Sequence, residues 1–240
     1  MTALETLTEF LSYPLNSTEE ILARFATLPN AEWKKGTGAQ QQFVFVPGTR
    51  EDAATLVAHA DTVFDIADHT FTIEDGIIRS TTPNCGLGAD DRAGCAILWL
   101  LKDSGHHLLI TDGEEYGQIG AKWLVNYNPD IAEILHKSSF MVQFDRRHGR
   151  DYKFYNIPVS DEFEDFIEHS TGYTNAGKRA FTDIVTLCKS SESCCGVNLS
   201  VGYYDEHTSY ETLNIAEWTN TLNVTEQMLA NPLSRFPLAN

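Results

Sequence analysis

Three five-residue stretches, Ala54–Ala58, His107–Thr111 and Phe140–Phe144, are apolar almost without interruption. A strand with one face in water alternates apolar and polar side chains, whereas a strand covered on both faces does not need to. The three runs therefore predict inner strands of a mostly parallel sheet with helices packed on either side. Helical spacing or strongly apolar composition supplies those helices at Leu4–Leu11, Ala93–Leu101, Ile119–Tyr127, before His136, and at Asp161–Glu168, Thr182–Cys188 and Trp218–Ala230. Another opens at Ser17-Thr18-Glu19-Glu20, which reads as a capping box. Further strands are expected at Gln42–Val46, Tyr152–Ile157 and Val197–Val201, and a hairpin at Phe71–Ile73 and Ile77–Arg79. Glu32–Gly38 is polar and is expected to loop outward. The predicted fold is α/β: a three-layer sandwich around a mixed, mostly parallel central sheet, as one domain over residues 1–240.

Charge and cysteine use narrow the function classes. The formal net charge is −17, and no basic cluster other than Arg146-Arg147 offsets it, which argues against a nucleic-acid partner. The five cysteines are odd in number and lack Cys-x-x-Cys spacing, so neither a disulfide framework nor a thiolate zinc site is indicated. Cys194-Cys195 reads as a pair of buried thiols. Met1–Tyr13 has no basic region of the secretory kind, and no apolar run reaches the ~20 residues of a membrane span. The expectation is a soluble, cytoplasmic protein without membrane or nucleic-acid partners, and the sequons at Asn16, Asn198 and Asn223 then carry little weight. The oligomeric state is left open.

Chemistry gathers at the ends of the predicted strands. Val57-Ala58-His59-Ala60-Asp61 closes one run, Asp112-Gly113-Glu114-Glu115 follows another, Phe144-Asp145 ends a third, and Glu206-His207-Thr208 comes late in the chain. Cys85–Cys95 adds Asp90-Asp91 after a glycine-rich approach to a helix. In open α/β sheets ligands collect beyond the carboxyl ends of the strands, so one rim can hold all of these. Imidazole and carboxylate are the expected zinc ligands of hydrolytic sites. His59 and Asp61, two apart on extended chain, point to one side, so that the aspartate can orient the imidazole. Adjacent Glu114 and Glu115 point in different directions, one toward a metal and the other free beside a water. Asp90 can bridge two ions with its two oxygens.

Taken singly, these signals are weak. A His-x-Asp at a strand end is more often a surface pair, and Glu-Glu is ordinary helix-start composition. Gly86, Gly88 and Asp91 half-imitate a dinucleotide fingerprint, but a third glycine is missing and the acids would repel a pyrophosphate. His106-His107 reads as a strand edge, and His69, His136, His148 and His169 as solvent-facing. Arg146 and Arg147 suit either a substrate carboxylate or oxyanion, or a salt-bridged rim; Tyr203, Tyr204 and Tyr210 either line a pocket or pack.

Together, the pieces resemble the co-catalytic zinc exopeptidases, the clan of zinc aminopeptidases, peptidase T and glutamate carboxypeptidase-type enzymes. The resemblance is carried by His-Ala-Asp at 59–61, Gly-Ala-Asp-Asp-Arg-Ala-Gly at 88–94, Gly-Glu-Glu at 113–115, Phe-Asp at 144–145 and His-Thr-Ser-Tyr-Glu-Thr at 207–212, in the family's order. It implies His59 and Asp145 on one zinc, Glu115 and His207 on the other, and Asp90 between them. It casts Glu114 as general base and Asp61 as the residue orienting His59, and implies a cis peptide between Asp90 and Asp91. Thr182-Asp183 resembles a short element that these enzymes carry before the last strand. Many carboxypeptidase-like members insert a lid domain before the final histidine; the interval here holds only enough chain to finish the sheet. That favours the single-domain branch and a zinc aminopeptidase/phosphorylase-hydrolase-like fold. The function so implied is a metal-dependent aminopeptidase acting on peptides or small amino-acid-derived substrates with two Zn²⁺, cobalt or manganese being alternatives. A carboxypeptidase or N-acyl-amino-acid amidohydrolase using the same site, and a metal-binding scaffold without turnover, are the alternatives to it.

Overall fold

The computed structural model describes residues 1–177, 180–190 and 192–239. Its strands are β1 (Glu32–Lys35), β2 (Gln42–Val46), β3 (Thr55–His59), β4 (Phe71–Glu74), β5 (Ile77–Ser80), β6 (His107–Thr111), β7 (Met141–Arg146), β8 (Asp151–Lys153), β9 (Thr174–Asn175), β10 (Gly196–Ser200), β11 (Tyr203–Tyr204) and β12 (Thr212–Asn214). Its helices are α1 (Ala3–Leu11), α2 (Glu19–Ala26), α3 (Ala89–Leu100), α4 (Ile119–Tyr127), α5 (Pro129–Lys137), α6 (Asp161–Thr171), α7 (Asp183–Leu187) and α8 (Ile215–Ala230). The main sheet runs β1-β2-β6-β3-β7-β10-β8-β9. Its centre is parallel, β6 with β3, β3 with β7 and β7 with β10, and antiparallel strands flank it. A smaller sheet, β11-β12-β5-β4, stands beside it.

The unbroken apolar runs are explained by burial on both faces. Leu56, Ala58, Leu108, Ile110, Val142 and Phe144 belong to one core with α1, α2, α3, α6 and α8. Their neighbours Val57, Leu109 and Met141 belong to a second core with α4, α5 and α7. Successive side chains leave a strand on opposite sides, so a run that serves two cores is apolar in both directions instead of alternating. The architecture is thus the predicted α/β arrangement of helices around a mixed, mostly parallel sheet.

Several local expectations are corrected. Glu32–Lys35 is not an outward loop but an edge strand paired with β2, its polar side chains tolerated because that edge meets water. The capping box lies on α1, where Thr2 and Glu5 cap each other's backbone, and not on α2. There Thr18 turns its hydroxyl to Asp112 instead, at 3.2 Å. The strand expected over Tyr152–Ile157 stops at Lys153, because Tyr155 takes a positive φ of 57° and points its hydroxyl at Asn198. His69 and His136 are half-buried with ring nitrogens on the carbonyls of Leu11 and Leu187. His106 is buried, and Ala54 N–H donates to its Nδ1 at 3.1 Å.

Candidate metal centre

Because β3, β6 and β7 are parallel, their carboxyl ends share one rim. His59 is the last residue of β3, the Glu114-Glu115 turn lies just past β6, and Asp145 sits near the end of β7. Asp90 arrives from another direction. Gly88, at φ +70°, and the non-helical dihedrals of Asp90 and Asp91 bend the entry to α3 toward the rim, and the Asp90–Asp91 peptide is cis. His207 reaches in from the turn after β11.

Two imidazoles then share one carboxylate. His59 Nε2 lies 3.1 Å from Asp90 Oδ1 and 3.5 Å from Asp145 Oδ1. His207 Nε2 lies 3.1 Å from Asp90 Oδ2 and 2.8 Å from Glu115 Oε1. Donor atoms of His59, Asp90 and Glu115 lie within 4.8 Å of one another, as do those of His59, Asp91 and Asp145. Asp91, however, spends both oxygens on backbone, accepting from His59 N–H at 3.1 Å and from Gly94 N–H at 3.0 Å. It braces the site and is a poor ligand. The five residues expected to hold metal therefore come together as two His–carboxylate pairs joined through Asp90.

Electrostatics show what this donor set demands. Asp61, Asp90, Asp91, Glu114, Glu115, Asp145 and Asp183 crowd around two histidines. Burial, reinforced by the neighbouring acids, pushes the Glu114 carboxyl up to about 9 and that of Asp183 to about 7, and raises Asp91, Glu115 and Asp145. Asp90 and Glu115 push His207 up to about 11. Burial alone would lower His59, but Asp145, Asp61 and Asp90 outweigh it and raise its pKa well above the usual value. Left to itself, the cluster balances its charge with protons. Divalent cations would take their place, and oxygen and imidazole donors suit zinc. The residues fit a metal pair.

A supporting layer holds these ligands. Asp61 accepts the N–H groups of Glu114 and Glu115, each at 3.1 Å, and its Oδ1 is 3.3 Å from His59 Nδ1. Thr182 Oγ1 and Gln143 Nε2 donate to Asp145 Oδ2 at 2.6 and 2.9 Å, and Tyr203 donates to Oδ1 at 3.2 Å. Where the β7–β10 register shifts, the Asn198 side chain accepts from Asp145 N–H and donates to its carbonyl. Glu211 accepts from Leu87, Gly88 and Asp90 N–H at 2.8, 2.7 and 3.1 Å, clamping the loop that delivers Asp90. Asp183 accepts from Thr111 Oγ1. A cleft of about 220 Å³ opens beside the ligands and is lined in part by Glu114, Arg147, Lys153, Phe181 and Tyr203.

Sequence reasoning missed the bracing by Asp91, Asn198 and Glu211. Glu211 stands within the stretch 207–212 but is separated from Asp90 by 121 positions, and only folding joins them. Arg146, a candidate for substrate, is instead forked onto Asp151 at 2.7 and 2.9 Å.

No family model and no curated protein matches the sequence. Solved structures do match the fold. Aminopeptidase PepT from Bacillus cereus aligns with TM-score 0.71 and 15% identity over 95% of this chain and 98% of that one. A tripeptidase from Staphylococcus aureus aligns with TM-score 0.68 and 15% identity, covering 95% and 96% of the two chains. The TET1 peptidase of Pyrococcus horikoshii, which assembles into a tetrahedron or an octahedral shell, gives TM-score 0.64 and 14% identity over 95% and 99%. This chain has the fold of these peptidases, and its rim brings together histidine and carboxylate donors that could hold metal. No described helix is long and apolar enough to cross a membrane.

Proposed function

We propose that the chain is a metal-dependent exopeptidase, an aminopeptidase that hydrolyses N-terminal peptide bonds with Glu114 as general base. The observation that supports this best is the sharing of Asp90 between two His–carboxylate pairs beside a cleft that Glu114 lines. When bound, two zinc ions at His59, Asp145, Asp90, Glu115 and His207 supply Lewis acidity toward a scissile carbonyl and bring the pKa of a water toward neutrality. Glu114 lines the cleft beside the clustered donor atoms without belonging to them, so its carboxylate is left to take a proton from the attacking water and return it to the leaving amine nitrogen. Asp61 fixes the Glu114-Glu115 backbone and the His59 ring, so the base and the ligands keep their relative positions. The acids of the rim suit a substrate α-ammonium, which would confine cleavage to the chain end. Catalysis by one domain spanning residues 1–240, in the cytoplasm, belongs to the same reading.

A second reading, a carboxypeptidase or N-acyl-amino-acid amidohydrolase at the same centre, draws on one observation: Arg147 and Lys153 line the cleft, where a substrate carboxylate could meet them. Mass spectrometry of a mixed peptide library incubated with zinc-loaded protein separates the two. Trimming from free N-termini, blocked by N-acetylation, is the expected result. Trimming from C-termini or release of the acyl group selects the second reading, and an unchanged library at every metal supplied rejects both.

A further inference from the structure

Asp61 also lines a second cavity, of about 260 Å³, which shares no lining residue with the metal cleft. Its walls come mainly from the loop before α2, the loop after β3 and the turn after β6. The fold holds these segments in place. Arg92, fully buried, donates from Nη2 to the carbonyls of Pro14 and Ser17 at 3.0 and 3.1 Å. Thr62 Oγ1 donates to the Leu15 carbonyl at 3.0 Å, and Leu15 N–H to that of Ile66 at 3.0 Å. The cavity is therefore formed in advance of any occupant.

Its charge is of one sign. Asp61, Asp65 and Asp112 line it, and no lysine, arginine or histidine does. Asp61 spends its oxygens on the backbone of Glu114 and Glu115. Asp112 is only half satisfied. It is 3% exposed, and its Oδ2 accepts from Gln42 Nε2 at 2.7 Å and from Thr18 Oγ1 at 3.2 Å. Its Oδ1 is buried and has no hydrogen-bond partner among the described residues. A buried carboxylate oxygen without a donor is costly, so this atom calls for one.

The spacing of the acids selects the kind of cation. Donor atoms of the metal-centre residues gather within 4.8 Å of one another, but those of Asp61, Asp65 and Asp112 do not. Oxygen ligands must approach calcium or magnesium to about 2.0–2.6 Å, so these three are too spread to enclose a bare ion. A cation with its own volume and several N–H groups can span them. Phe64 and Tyr116 line the same cavity, and aromatic faces attract organic cations. The volume is slightly below the roughly 300–1,000 Å³ of sites for drug-sized molecules, which suits a short alkyl chain.

We propose that this cavity is a binding site for a small organic cation, an alkylammonium or alkylguanidinium, whose N–H groups meet Asp112 and Asp65 while its alkyl stem lies against Phe64 and Tyr116. The site is separate from the metal cleft and stands whether or not that cleft hydrolyses peptides.

The test is calorimetric titration of the zinc-loaded protein with n-butylguanidinium and with n-butylurea, its neutral isostere. The guanidinium, unlike an amine, has no lone pair to offer zinc. It is expected to bind at least ~10-fold more tightly than the urea. Asp112→Asn should bring that ratio toward one. Asp65→Asn, on an exposed loop position, should lower it independently should the buried variant not fold. Glu114→Gln, in the other cleft, should leave it unchanged. Equal affinities for the two probes, no binding of either, or a ratio indifferent to both aspartate substitutions would overturn the proposal. So would a preference that Glu114→Gln abolishes, since the cation would then sit in the metal cleft.

Discussion

The carboxylate of Asp61 accepts the backbone N–H of Glu114 on Oδ1 at 3.1 Å, and Oδ2 does the same for Glu115. The same Oδ1 lies 3.3 Å from His59 Nδ1, and the Asp61 carbonyl oxygen lies 3.1 Å from that nitrogen. One side chain thus sets the position of the proposed base, of one expected ligand and of the ring of another. Asparagine in its place offers a single oxygen and an N–H₂ group that faces a donor. Asp61→Asn should lose about 10- to 100-fold in kcat/KM or metal affinity while staying folded, as measured by steady-state kinetics and zinc titration. Wild-type values in both would remove the residue from the centre.

Glu114 lines the cleft and is absent from both sets of clustered donor atoms. Glu114→Gln keeps the shape and removes the proton acceptor. Turnover should fall by about 10²–10⁴-fold with metal content unchanged, read by kinetics beside elemental analysis. Loss of metal along with activity would make Glu114 a ligand instead.

The crowded carboxylates predict strong linkage between metal and stability. Zinc at 100 times its dissociation constant should stabilise the fold by about 2.7 kcal/mol, seen as a higher melting temperature that a chelator reverses. His59→Ala should abolish most of that increment, because His59 is wholly buried and its Nε2 faces both Asp90 and Asp145. A shift that survives His59→Ala would place the metal elsewhere.

Glu211 is 1% exposed and accepts three backbone N–H groups. Glu211→Ala strands those donors in a buried loop and should cost roughly 3 kcal/mol or more in urea unfolding. Zinc affinity should fall as well, since the loop carries Asp90. A stability change without any effect on zinc would limit the clamp to a structural role.

His107 accepts the Gly48 N–H on Nδ1 at 2.8 Å. Burial, and then the neighbouring His106, lower its pKa from 6.5 to about 4. A folded pKa below the unfolded one means that the unfolded chain binds the extra proton. The stability this contributes is complete above pH 6.5 and is lost as pH falls through about 4. Solvent screens the partly exposed ring, so the loss is on the order of 1–2 kcal/mol. His107→Asn, which keeps an acceptor but cannot titrate, should flatten the decline between those pH values in urea melts compared with wild type. Parallel curves would show that other groups dominate.

The legible parts of the chain were those with local signatures. The runs at Ala54–Ala58, His107–Thr111 and Phe140–Phe144 announced inner strands because burial on two faces forbids alternation. His59, Asp61, Glu114, Glu115 and Asp145 were readable because each sits where such a run ends. The edge strand β1 was hidden because a half-exposed strand can be polar and resembles a loop. The bracing residues were hidden because nothing near Asn198 or Glu211 in the chain says what it will meet.

By itself, then, the sequence determined the kind of sheet, the rim at which chemistry collects and the types of donor brought there, since all of these follow from burial patterns a few residues long. Only the tertiary structure decided that Asp90 divides its two oxygens between His59 and His207, that Asp61 grips the Glu114-Glu115 backbone, and that Arg146 is spent on Asp151 while Arg147 faces the cleft. Those relationships join residues from 5 to more than 100 positions apart. Each depends on the direction a side chain takes once the sheet has twisted and the turns have closed, which local pattern does not encode.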